Sequence, residues 1–154
     1  MKLKTFLFLM LAALFTVSCE EDEDVIPADV IMGTYTGTMK MKVGEIDAGT
    51  ADITVVVTKV DDKTVNVRIP KLDAMNKYNL TDLTAEGINV ASYENTIVLT
   101  GYQLKGSTTM NETLYDVESN LLGVMKNDNL TFDFTFKPGP MPMSIQGQFE
   151  GSKK

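Results

Sequence analysis

The chain has 154 residues, 44% hydrophobic and 23% charged, with a formal net charge of −7. That acidic balance, with Arg68 the only arginine, argues against nucleic acid as a partner, because phosphate recognition needs a basic patch. Histidine is absent and Cys19 is the one cysteine, so imidazole-assisted nucleophiles, histidine metal sites, internal disulfides and thiolate-bound zinc or iron–sulfur clusters are excluded; neither a metal nor a cofactor is expected.

The N-terminus carries Lys2 and Lys4, then a twelve-residue, mostly apolar run from Phe6 to Val17, then Ser18 and Cys19. The run falls short of the roughly 20 residues a helix needs to cross a bilayer, and its layout is that of an export signal, residues 1–18. A cysteine directly after such a run resembles the lipobox of bacterial lipoproteins, although Thr16 stands where an aliphatic residue is commonest. The resemblance implies cleavage before Cys19 and lipidation of its thiol; a secreted protein with an incidental free thiol is the alternative. More than one acyl chain, at about 0.8 kcal/mol per buried CH2, gives stable anchoring without a membrane span. Removing the leader with its two lysines takes the net charge from −7 to −9.

Glu20, Glu21, Asp22, Glu23 and Asp24 follow, a block of like charge that repels itself and stays solvated. It reads as part of a tether over residues 19–31. Acids immediately after a lipidated cysteine also resemble the surface-export signal of Bacteroidota-type lipoproteins, which implies an outer-membrane lipoprotein exposed at the cell surface, although the sequence does not separate that face from the periplasmic one.

Residues 32–154 form the remaining domain, enough chain for a single core. In "GTYTGTMKMKV", residues 33–43, Tyr35, Gly37, Met39, Met41 and Val43 alternate with threonines and lysines, the period-two signature of a half-buried strand. Residues 51–70 read as a hairpin turning at "DDK" (61–63), with Val65, Val67 and Ile69 on one face. "KLDAMNKYN", 71–79, is expected to be an irregular loop or short helical turn. Residues 83–90 and 95–104 give two strands, and 113–124 another, with Asp116, Glu118 and Asn120 on a solvated side. After the turn "KNDN" (126–129), Leu130, Phe132, Phe134 and Phe136 alternate with Thr131, Asp133 and Thr135. The last strand, 141–151, is expected to put Met141, Met143, Ile145, Gly147 and Phe149 on one face, with Pro142 near its start.

About eight consecutive strands with short links predict an all-β fold: an antiparallel up-and-down barrel that hides its edges by closing, with a two-sheet sandwich as the alternative. A membrane-spanning barrel would need an apolar exterior with aromatic girdles, whereas each clear strand here has a polar face. "GTYTGTMKMKV" and the closing "MPMSIQGQFEG" resemble the calycin-like (lipocalin-like) β-barrel lipoproteins of Bacteroidota, and Gly33-Thr34-Tyr35 resembles the Gly-x-Trp opening of lipocalins. The basic side chain that the wider calycin pattern sets on the last strand, opposite that aromatic, is missing from "SIQGQF".

An eight-stranded barrel is either just filled by its side chains or holds one small ligand. The leading reading is a non-enzymatic, lipid-anchored surface barrel able to carry a small hydrophobic ligand, with Tyr35, Met39, Met41, Phe132, Phe134, Met143 and Phe149 lining the interior. The competing reading is an accessory module that docks a partner protein or glycan through its outer face or rim loops. A sugar site would have to use Tyr78, Tyr93 or Tyr102, since tryptophan is absent. No catalytic residue is assigned: the paired acids Asp116 and Glu118, and Asp61 and Asp62, lack the apolar pocket that would tune a carboxyl for acid–base work.

Overall fold

The computed structural model describes residues 24–74 and 78–154. Eight antiparallel strands form one closed barrel in chain order: β1 (Gly33–Val43), β2 (Ile46–Asp61), β3 (Thr64–Ala74), β4 (Tyr78–Tyr93), β5 (Thr96–Met110), β6 (Thr113–Lys126), β7 (Asn129–Pro138) and β8 (Ile145–Lys153). β1 closes the cylinder by pairing with both β2 and β8, the latter in a register that sets Tyr35 opposite Lys153, Met39 opposite Phe149 and Val43 opposite Ile145. The expected up-and-down barrel is therefore the fold, and the sandwich is not. Cys19, the acids before Asp24 and the leader lie outside the described residues.

The alternation read from the sequence is the inside–outside pattern of the wall. Tyr35, Met39, Met41 and Val43 of β1 are buried, as are Val65, Val67 and Ile69 of β3 and Leu130, Phe132, Phe134 and Phe136 of β7, while the residues that alternate with them face outward. Their side chains join the apolar side chains of the other strands in one core cluster. Hairpin turns supply the tight connections. At the β6–β7 corner Asn127 (φ 50°) and Asp128 (φ 61°) are both left-handed, as a two-residue turn matched to strand twist requires.

Residues 71–74 and 78–79 are strand where a loop or short helical turn is expected, and 75–77 lie outside the described residues. Lys71–Ala74 continue β3 and β4 begins at Tyr78, with Leu72 opposite Leu80 and both fully buried. Two outward residues in succession at three places hide this continuity. Asp82 (φ 51°) follows Thr81, Gly87 (φ 77°) follows Glu86, and Gln103 (φ 51°) follows Tyr102, each slipping the inward phase by one residue. Neighbouring strands secure the slips from outside. The Gly87 N–H donates to Asn66 Oδ1 at 3.0 Å, the Gln103 N–H donates to Asn120 Oδ1 at 2.8 Å, and Arg68 pairs with Asp82.

Among the described residues a short helix, α1 (Pro27–Ile31), precedes β1. Proline at its first turn sacrifices no helical donor. Ala28 and Ile31 are fully buried, so this turn stops the barrel end where β1 begins. Asp29 on its outer side accepts from Lys59 Nζ at 2.8 Å, tying α1 to β2.

Candidate functional site

At the α1 end, Tyr35 points into the barrel and its hydroxyl donates to the Ile31 carbonyl at 2.7 Å, 3.3 Å from Met125 Sδ. Burial, reinforced by the negative charge of Asp128, pushes the phenol pKa up to about 12, so this bond persists wherever the protein is handled near neutrality. Lys153, opposite Tyr35 in the ladder, donates from Nζ to the Val30 carbonyl at 2.8 Å. The last strand therefore does carry a basic side chain across from the opening aromatic. It lies four residues beyond Phe149, outside the "SIQGQF" stretch where it was sought. Tyr35 and Lys153 satisfy consecutive C-terminal carbonyls of α1 and hold the helix against the barrel mouth.

Further in, the predicted residues meet. Phe132 and Phe149 have ring centroids 5.0 Å apart, Phe134 stacks on Phe136 at 5.0 Å, and Phe132 meets Phe134 edge-on at 6.3 Å. Met39 packs over Gly147, where a Cβ would come 2.8 Å from its sulfur. Tyr35, Met39, Met41, Phe132, Phe134 and Phe149 thus share the interior as expected, all at 3% exposure or less.

Met143 does not join them. The last strand starts at Ile145 rather than 141, and Met143 is 46% exposed in the β7–β8 connection, its sulfur above Gly44. The reason is local: the Gly44 N–H donates to the Ser144 carbonyl at 3.4 Å and the Met141 N–H to the Pro138 carbonyl at 2.9 Å, a turn that swings Met141 inward over the second mouth instead. Two polar side chains are buried among the described residues. The Thr108 hydroxyl donates to the Thr81 carbonyl at 3.1 Å, whereas Ser119 Oγ has no partner.

These side chains pack into one interior cluster, and several depressions of the described residues lie along the outer wall. One runs across β5, β6, β7, β8 and β1, over Val98, Leu122, Val124, Thr131, Asp133 and Lys40. The register aligns its apolar part, with Val98 opposite Val124 and Thr100 opposite Leu122. Leu122 is 43% and Val124 42% exposed, side by side on the solvent face of β6. Alternation reasoning passed over them, yet the signal is in the sequence: Leu121 to Met125 is apolar or glycine without interruption, so β6 is apolar on both faces. Tyr93 and Tyr102 are also exposed, on separate parts of the surface.

Comparison with known proteins places this geometry. The sequence model of the calycin-like beta-barrel domain matches residues 31–152. A crystal structure of a candidate outer membrane protein from Bacteroides fragilis superposes with a TM-score of 0.66 at 24% identity, covering 83% of this chain and 53% of that one. The chain thus spans about half the length of that neighbour, and the likeness is one of fold. Rv2717c from M. tuberculosis superposes with a TM-score of 0.46 at 14% identity over 80% of this chain and 92% of that one. No curated protein matches the chain.

Proposed function

The chain belongs to the calycin-like β-barrel family, and from that premise we propose a non-enzymatic envelope lipoprotein, anchored through Cys19, whose barrel docks a partner protein on its outer wall. The outer-membrane description of the Bacteroides fragilis neighbour agrees with this location. The observation that carries the reading is where apolar surface is left over. The interior is closed by α1 at one mouth and Met141 at the other, while Val98, Leu122 and Val124 form an aliphatic strip facing solvent. Lys40, Asp133 and Glu150 border it with both signs of charge, the apolar centre and polar rim of a protein interface. A glycan is the weaker fit, because no exposed aromatic ring stands in this depression to stack on a sugar.

Photocrosslinking from position 131 in intact cells tests the reading. A defined adduct is expected that Leu122→Lys abolishes and Phe134→Leu spares. Equal capture by the Leu122→Lys protein, or the same adducts from a crosslinker at Lys71 on β3, across the barrel from β7, refutes it. Native mass spectrometry of the domain from Glu20 onward addresses the carrier alternative: the apo mass is expected, and a retained hydrophobic molecule would reinstate a ligand-holding interior.

A further inference from the structure

We propose that the α1 end of the barrel is a membrane-contact surface that rests on the lipid headgroups, so that the anchored domain stands upright on the bilayer. This inference rests on lipidation of Cys19 and extends it to a second contact.

The argument starts from chain length. Five peptide steps separate Cys19 from Asp24, and at 3.3–3.6 Å per residue they span at most about 18 Å. From Pro27 the chain is committed to α1, whose Ala28 and Ile31 are locked into the core. An anchor at Cys19 therefore holds Asp24, three residues before α1, within about 18 Å of the lipid, and so keeps this mouth, and not the Met141 mouth, on the membrane side.

The side chains presented there suit the headgroup region. Val25 (60% exposed) and Met32 (44%) bracket α1, Val30 (38%) lies on it, and Tyr93, at the end of β4 on the same side of the barrel, is 70% exposed. Exposed aliphatics together with a tyrosine are the composition of an interfacial contact, where an amphipathic ring finds both a wet and an apolar side. Charge selects the lipid. Lys59, Lys63, Lys126, Lys153 and Lys154 share this end with Asp24, Asp29, Asp61, Asp62, Glu94 and Asp128, so there is no cationic surplus to seek anionic lipids, and a zwitterionic surface is the occupant.

The chain has no tryptophan, so a single introduced one reports position. Full-length mature lipoprotein carrying Tyr93→Trp is reconstituted into vesicles of brominated phosphatidylcholine, with Val25→Trp as a second reporter and Tyr102→Trp, on the side wall, as the control. The expected result is severalfold stronger quenching for Tyr93→Trp and Val25→Trp than for Tyr102→Trp, relieved by adding Val30→Asp and Met32→Asp without loss of flotation. Equal or absent quenching at all three positions in protein that floats with the vesicles overturns the contact and leaves the anchor standing. Protein that does not float overturns both.

Discussion

Ser119 offers the sharpest test of a filled interior. Its hydroxyl is buried, faces the core between Val117 and Leu121, and finds no hydrogen-bond partner. Leaving a buried hydroxyl unpaired costs about 1–3 kcal/mol by mutational measure. Ser119→Ala removes that cost and leaves a void of one oxygen atom, which at ~24 cal/mol per Å3 returns only a few tenths of a kcal/mol. The variant is expected to be more stable by about 1 kcal/mol, a rise in Tm of about 2–6 °C for a domain of this size. Thr108→Val is the paired control. The Thr108 hydroxyl is equally buried but bonded to the Thr81 carbonyl, so its loss is expected to destabilise by about 1 kcal/mol. Urea unfolding followed by circular dichroism measures both. If Ser119→Ala is destabilising like Thr108→Val, the hydroxyl has a partner in solution, an enclosed water or ligand, and the claim that side chains alone fill this barrel is refuted.

Three further outcomes follow from the geometry. Gly37→Ala would drive a methyl group into the Glu150 carbonyl across the β1–β8 seam, so it is expected to destabilise by at least ~3 kcal/mol or to prevent closure, seen as loss of the cooperative unfolding transition. Tyr35 stays protonated to about 12 when folded against about 10 when unfolded, so folding is favoured below pH 10 and loses up to about 3 kcal/mol from this group as pH climbs through that window; Tyr35→Phe should remove that part of the alkaline loss, while near-ultraviolet tyrosinate absorbance of the parent shows one late-titrating phenol. Cys19→Ala is expected to move the protein from the membrane to the soluble fraction, and unchanged membrane association would defeat the anchor.

What could be read from the sequence depended on whether one face of a strand is buried without interruption. In β1 and β7 it is, and residues 33–43 and 130–136 announce their inward side directly. In β4 the buried residues are Leu80, Leu83, Ala85, Ile88 and Val90, spaced by three, two, three and two because Asp82 and Gly87 each add an outward residue. That spacing matches neither strand nor helix, which is why only part of β4, residues 83–90, reads as a strand from the sequence. α1 is one turn long and has no room to show a period. Met143 failed for the opposite reason. The Met-Pro-Met spacing imitates a strand, but the backbone bond from Gly44 to Ser144 turns the chain before the ladder begins. The interior wall was therefore legible as a composition, while its two stoppers, Tyr35 with α1 and Met141 with its loop, became legible only once the ladder fixed which residues face each other.

Closure also decides how such a protein can be recognised. With β1 paired on both sides, the barrel has no edge strand, and a partner cannot add a strand to it. Recognition is left to side chains on a convex wall. The strip of Val98, Leu122 and Val124 is far smaller than the roughly 800 Å2 that each side of a standard stable interface buries. The strip alone therefore suits a weak or transient contact, and a tight one needs the charged rim as well. The proposed anchor at Cys19 would offset that weakness, because two anchored proteins would meet at the high effective concentration of a shared surface. If Leu122 is the centre of the contact, Leu122→Lys should abolish capture between membrane-bound partners and leave the fold untouched, since its side chain already stands in solvent.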